Sequence, residues 1–119
     1  MRADTREVPR LDELFARSLR EIEAHTDDLS STETGRYLID QAAHLLAALR
    51  LWAQSQFRSD QAVREILEAC DVASLQEVAN ELREMEGGDP ETASWAVASM
   101  VSMPTSEVMA IASYALRAL

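Results

Sequence analysis

The residues that could do chemistry most directly are two acid–histidine pairs. His25 follows Glu21 by four residues, and His44 follows Asp40 at the same spacing. Side chains four residues apart lie on one face of a helix, and two such pairs on facing helices could bind zinc. If the first two helices form an antiparallel hairpin, His25 lies near the turn and His44 about 16 Å along the second helix, at roughly 1.5 Å per residue. The two histidines then cannot reach one ion, so no metal site is predicted.

A nucleophilic mechanism has equally little support. Cys70 is the only cysteine, and it falls on the apolar stripe of its helix, where a buried, unreactive thiol is the usual finding. A nucleophile also needs an adjacent base. Gly35 stands alone and the Gly87-Gly88 pair has no lysine after it, so no phosphate-binding loop is present. The sequence predicts a non-enzymatic protein with no catalytic residue and no cofactor.

Charge is spread unevenly along the 119 residues. The net charge is −10, and all 11 basic residues are arginine. Residues 60–91 hold ten acids and two arginines, whereas residues 92–119 hold one of each. The acidic middle repels nucleic acid and anionic membranes, so direct nucleic-acid binding is not expected. No run of 18 apolar residues predicts a membrane span. With one cysteine and a polar N-terminal stretch, a cytoplasmic location is expected.

Apolar spacing throughout the chain is helical and predicts an all-α protein, a compact bundle of about six helices. The whole chain, 1–119, reads as one domain in which residues 1–8 form a disordered arm. The first helix spans about 10–25. The second runs from a capping box at Ser30 to about Gln56, and its broad apolar face predicts that it is the centre of the fold. Further helices are expected to start near Ser59, Ser74, Asp89 and Pro104.

The four short helices are predicted to form two helical hairpins, 59–88 and 89–118. A shift of 30 residues brings the apolar positions of the first hairpin onto those of the second, although the residues are not identical. A degenerate 30-residue αα repeat is one interpretation. Because solenoids usually need three or more repeats, a compact bundle of hairpins is the simpler architecture.

The segment Ile66–Val78 resembles DNA-binding helix-turn-helix units over about 20 residues. A small helix-turn-helix regulator is therefore one hypothesis. The second helix of this unit presents mostly acidic and amide side chains, and Arg83 is its one cation. Because phosphate contacts supply most of the affinity for DNA, this surface is unsuited to DNA.

The acidic middle supports a different hypothesis. Glu77, Glu81 and Glu84 are predicted to line one surface of the fourth helix. Such a surface can simply keep a protein in solution, or it can bind a basic partner by charge complementarity. In the second case the chain would be an acidic inhibitor, including an immunity-type protein, that blocks a nuclease or a nucleic-acid-binding complex by charge mimicry.

The last two helices carry the main prediction, because their outer faces are nearly uncharged. Trp95 falls opposite the apolar stripe of the fifth helix, beside serines. Faces built from Ala, Ser, Met and an aromatic are typical of contact surfaces. We therefore predict a helical protein–protein interaction module that self-associates as a homo-oligomer or joins a larger assembly. Its expected contact residues are Trp95, Ser99, Met103, Met109 and Tyr114.

Overall fold

The computed structural model describes residues 10–26 and 32–119, and these residues form six α-helices and no strand. The helices are α1 (Leu11–Glu23), α2 (Glu33–Ser55), α3 (Asp60–Ala69), α4 (Val72–Arg83), α5 (Gly88–Val101) and α6 (Thr105–Leu116). The predicted all-α class and six-helix bundle are thereby confirmed. The predicted arm, residues 1–8, lies outside the described residues.

Helix α2 is the central element, as its broad apolar face predicted. It packs against each of the other five helices. Its buried side chains form an almost unbroken run between positions 39 and 53, interrupted by the half-buried Gln41 and the exposed Asp40 and His44. The other helices each contribute a narrower apolar stripe to the same core. Those stripes include Leu14 and Ile22 of α1, Val63 and Leu67 of α3, Leu75, Val78 and Leu82 of α4, Ala93, Val97 and Met100 of α5, and Val108, Ile111 and Ala115 of α6.

Side-chain caps fix the starts of three helices, and two of them differ from the prediction. Ser59 caps α3 as expected, accepting a hydrogen bond from the Gln61 N–H. Helix α2 begins at Glu33, where the Thr32 hydroxyl accepts from the Gly35 N–H. The predicted cap Ser30 lies outside the described residues. Each such cap satisfies one of the backbone donors that a helix leaves unpaired at its N-terminus.

The predicted start of α4 at Ser74 is wrong. Cys70 ends α3 in the left-handed conformation, with φ 47° and ψ 41°. This residue turns the chain at once, and Asp71 follows in extended geometry, with its carboxylate accepting from the Ser74 N–H. The helix therefore starts at Val72, and Ser74 supplies the backbone donor instead of the capping side chain.

Asp89 was predicted to mark the start of α5, with its carboxylate as the cap of that helix, but it caps a different helix. Gly87, at φ 117°, precedes the first turn of α5, so Asp89 lies within that turn. Its carboxylate accepts a hydrogen bond from the Leu11 N–H at 3.0 Å. Arg10, the residue before α1, provides no side-chain cap of its own. The start of α1 is thus stabilised by a carboxylate 78 positions away in sequence.

The short helices do not pair as two successive hairpins, which corrects the predicted arrangement. The extensive contacts are between α4 and α5, whereas α3 contacts α4 only slightly and packs instead against α2 and α6. Helices α5 and α6 both pack on α2 and contribute no substantial contact to each other. Gly87, with its positive φ, allows the chain to reverse between α4 and α5. The α4–α5 pair and the α3–α6 pair consequently each pack on α2 and contact each other only slightly.

Candidate functional site

The largest exposed aromatic on the C-terminal helices is Trp95. The inner stripe of α5 is buried at Ala93 and Val97, and Trp95 lies two residues from each, about 200° around the helix. Its side chain is 69% exposed. It lies in a shallow depression formed with Ala98, Ser99 and Ser102 of α5 and Arg83 of α4. We call these five residues the Trp95 patch.

A second exposed apolar surface lies between α3 and α6. Met109 of α6 is 59% exposed there. A shallow groove beside it is lined by Leu67, Glu68, Cys70, Met109, Ala112, Ser113 and Leu116. We call this set the Met109 groove. Its contributions from α3 were not part of the predicted interface, because the packing of α3 against α6 could not be read from sequence.

The five predicted contact residues do not form one surface. Trp95 and Ser99 belong to the Trp95 patch, whereas Met109 belongs to the Met109 groove. Met103 and Tyr114 are half-buried. The Tyr114 ring lies 4.9 Å from the guanidinium carbon of Arg117. The structure therefore divides the predicted interface between two patches that share no residue, one on α4 and α5 and the other on α3 and α6.

The three acids predicted for one surface also have different roles. Glu77 and Glu84 are exposed. Glu81 is half-buried, and one of its carboxylate oxygens accepts hydrogen bonds from Trp52 Nε1 and Gln56 Nε2, both at 2.7 Å. The hydrogen bond from Gln56, then that from Trp52, lowers the pKa of Glu81 below its ordinary value. Glu81 thus connects α4 to α2 through hydrogen bonds. It was predicted to be a free surface charge, and the structure shows instead that it is half-buried and hydrogen-bonded.

Sequence reasoning missed a buried charge at the centre of the fold. Arg50 of α2 is 1% exposed. Its guanidinium donates to the Ser18 hydroxyl at 3.1 Å and to the Glu21 carboxylate at 2.6 Å, and it lies 3.7 Å from Asp60. Among the described residues its Nε has no hydrogen-bond partner. Arginine on a helix predicted to be surrounded on all sides was the available signal, since a buried charge requires partners.

The charge of Arg50 affects the pKa of its partner Glu21. Burial raises the pKa of Glu21, but the hydrogen bond and charge of Arg50, together with Arg17, outweigh it and leave that pKa below its ordinary value. Arg50 therefore joins α1, α2 and the first turn of α3 through one cation. Because Arg50 is buried, its charge connects helices within the fold and does not form part of the surface.

The acid–histidine pairs are engaged locally. His25 Nδ1 lies 2.9 Å from the backbone carbonyl of Glu21, and His44 Nε2 lies 3.5 Å from the Asp40 carboxylate. The His44 ring stacks on Phe15, with centroids 4.3 Å apart. Within residues 10–26 and 32–119, no group of three or more His, Cys, Asp or Glu side chains is arranged to hold a metal ion.

Cys70 is half-buried at the edge of the Met109 groove. Burial, and then the charge of Asp71, raises the pKa of its thiol. A raised pKa lowers the thiolate fraction and hence nucleophilicity. Cys70 therefore serves as an apolar groove residue and as the left-handed end of α3.

Among the described helices, none combines the length and apolar character that crossing a membrane requires. Comparison with known proteins supplies no relative: no family model, no curated protein and no solved structure matches this chain.

Proposed function

We propose that this chain is a non-enzymatic helical interaction module that associates with copies of itself through its C-terminal helices. The observation that carries the proposal is Trp95, a large aromatic side chain left 69% exposed beside the small side chains of Ala98 and Ser99. Buried aromatic residues contribute a disproportionate share of interface energy. The small side chains of Ala98, Ser99 and Ser102 beside Trp95 leave the indole accessible to a second molecule.

The charge distribution supports self-association at this end of the molecule. Two chains that each carry −10 repel one another over most of their surfaces. Residues 92–119 contain one acid, Glu107, and one base, Arg117. The Glu107 carboxylate already accepts a hydrogen bond from the Tyr37 hydroxyl at 2.8 Å. Contacts through α6 and the part of α5 that follows Glu91 therefore bring few carboxylates together.

Sedimentation velocity over a concentration series tests this proposal. The wild-type chain should sediment as larger species as its concentration rises. Trp95→Ala should weaken association by about 30-fold, which corresponds to a hot-spot loss of roughly 2 kcal/mol. Because the contact is mainly apolar, added salt should not weaken it.

Val72→Ala is the matched control. Val72 is an apolar residue at the start of α4, 58% exposed and outside both patches. It should leave association unchanged. A wild-type chain that stays monomeric at every concentration contradicts the proposal, and so does equal weakening by Val72→Ala and Trp95→Ala.

An acidic inhibitor is the second candidate, and the exposure of the carboxylates in residues 60–91 supports it. Glu77 and Glu84 of α4 are exposed, as are Glu65 and Glu68 of α3. Inhibition by charge complementarity should weaken steeply with ionic strength. Glu77→Lys combined with Glu84→Lys should keep the fold and abolish inhibition in a panel of purified basic nucleases. Glu13→Lys with Glu33→Lys, which changes the charge equally elsewhere, should preserve it. Absence of inhibition by the wild-type chain removes this candidate.

A further inference from the structure

We infer that self-association is head-to-tail: the Trp95 patch of one copy docks on the Met109 groove of a second copy. The inference rests on the proposed self-association and specifies its geometry. The Trp95 patch and the Met109 groove have no residue in common.

The two surfaces differ in what they expose. The Trp95 patch exposes one large side chain, the indole of Trp95, which is 69% exposed beside the small side chains of Ala98 and Ser99. The Met109 groove is a depression between two helices, and apolar side chains from both helices line it. One indole seated in this groove contacts apolar side chains from both helices, and Met109 supplies a flexible thioether that adapts to an aromatic face.

The charges at the edges of the two surfaces decide between the possible pairings. Arg83 borders the Trp95 patch, and Glu68 borders the Met109 groove. A symmetric contact of two Trp95 patches would place Arg83 near the Arg83 of the second copy. A symmetric contact of two Met109 grooves would place Glu68 near Glu68. The head-to-tail contact brings Arg83 to Glu68, which is the one complementary combination.

Arg83 is available for this contact. Its described interaction is a long hydrogen bond of 3.4 Å to the side-chain oxygen of Asn80, on the same exposed face of α4. That bond is weak by its length. Turning the guanidinium toward a carboxylate of a second copy therefore sacrifices little within the monomer.

The location of the patches determines what kind of assembly follows. The Trp95 patch lies on the α4–α5 pair and the Met109 groove on the α3–α6 pair. A head-to-tail contact between different surfaces leaves one free patch and one free groove at the ends of a dimer. Such contacts continue into a ring or an open chain instead of stopping at two copies.

Complementation between two variants tests this geometry. Trp95→Ala removes the exposed indole and keeps the groove. Met109→Arg fills the groove with a cation that repels Arg83 and keeps the Trp95 patch. Each variant alone should be monomeric in sedimentation velocity. An equimolar mixture should form a dimer and nothing larger, because one productive contact remains and both ends of the dimer are blocked.

A charge exchange sharpens the test. Arg83→Glu and Glu68→Arg should each weaken association by about threefold, the effect of an exposed ion pair. The double variant carrying both changes should return to the wild-type affinity. Circular dichroism verifies that each variant is folded, and Ser113→Arg, at an exposed position in the same groove, replaces Met109→Arg if that variant unfolds.

The outcomes separate the inference from the proposed function. A wild-type chain that never associates overturns both. A wild-type chain that associates, with a Met109→Arg variant that associates equally well alone, overturns the head-to-tail geometry and leaves self-association through Trp95 standing. A dimer that appears only in the mixture supports the inference.

Discussion

The two tryptophans of this chain lie in opposite environments. Trp52 of α2 is 4% exposed, its indole N–H donates to Glu81, and the guanidinium of Arg58 lies 5.2 Å from its ring. Trp95 of α5 is 69% exposed, and Arg83 lies beside it. The indole of Trp52 is thus buried and hydrogen-bonded within its own chain, whereas most of the indole of Trp95 is exposed to solvent. The exposed apolar surface of the Trp95 indole can be buried by contact with a second molecule.

The regions around the two residues differ in the same way. Around α2, polar groups connect distant helices: Arg50 joins Ser18 and Glu21, and Glu81 joins Trp52 and Gln56. On the outer face of α5, the Ser99 hydroxyl bonds only within its own helix, to the Ala96 carbonyl. Around α2, these polar groups form hydrogen bonds between helices and so stabilise the monomer. Among the described hydrogen bonds, Ser99 makes none to another helix, and it is therefore available for contact with another chain.

Substituting each tryptophan by alanine should separate the two roles. Trp52→Ala should lower the free energy of unfolding by about 4 kcal/mol, since it leaves a cavity and removes a hydrogen bond. Trp95→Ala should change it by less than about 0.5 kcal/mol, as expected at an exposed site. Urea unfolding followed by far-UV circular dichroism, at a concentration where the chain is monomeric, measures both values.

Trp52→Phe refines this comparison, because it keeps most of the buried ring and removes the N–H donor to Glu81. Its free energy of unfolding should lie between the values for the wild-type chain and for Trp52→Ala. A Trp95→Ala variant that loses several kcal/mol would place Trp95 among the residues that hold the monomer together. The contrast between the two indoles would then fail.

Arg50 should show the next largest effect. Arg50→Ala should lower the free energy of unfolding by about 3 kcal/mol, at the lower end for a broken buried ion pair, because Glu21 and Asp60 retain access to water. Arg50→Met, which fills the same space without charge, should cost much less, because buried ion pairs often contribute little relative to apolar residues of similar volume.

Equal losses for Arg50→Ala and Arg50→Met in urea unfolding would contradict this explanation. They would show that the ionic bonds, and not the filled volume, provide the stability. The hydrogen bonds from Arg50 to Ser18 and Glu21 would then stabilise the position of α1 more than its apolar packing does.

Arg50 also shows where sequence analysis stops. The all-α class, the six helices and the central position of α2 follow from helical apolar period, which depends on neighbouring residues alone. The partners of Arg50 lie 32 and 29 positions away, on α1. Their identity depends on which helices pack together, and local spacing carries no such information. For the same reason, Asp89 was assigned to the helix it precedes in sequence, although it caps α1.

The candidate site was predictable to the same extent. The exposure of Trp95 follows from its phase on α5, opposite Ala93 and Val97. The Met109 groove was not predictable, because three of its seven lining residues come from α3 and its C-cap. The misplacement of Glu81 has a similar cause. Helical phase puts it near the surface, but it could not show that Trp52 and Gln56 of α2 would approach its carboxylate.

Glu81 provides the last and smallest of these effects, together with a pH dependence. Glu81→Ala should lower the free energy of unfolding by about 2 kcal/mol, since two donors of α2 lose a charged acceptor. Glu81→Gln should cost less, because its amide oxygen can still accept both bonds without the charge. The pKa of Glu81 in the folded chain lies below its ordinary value of 4.5. A carboxyl group with a lowered pKa stabilises the fold above that ordinary value, and the contribution disappears as the pH falls through the folded-state pKa.

The free energy of unfolding of the wild-type chain should therefore fall as the pH drops below about 4.5, and the Glu81→Gln variant should fall less steeply. Glu77→Gln is the matched control, one turn earlier on α4 and exposed. It should reproduce the wild-type stability at neutral pH. Urea unfolding at a series of pH values between about 3 and 7 covers the interval in which carboxyl groups titrate. If Glu77→Gln and Glu81→Gln behave alike, Glu81 acts as a surface charge, and the acidic face of α4 again includes all three of its predicted members.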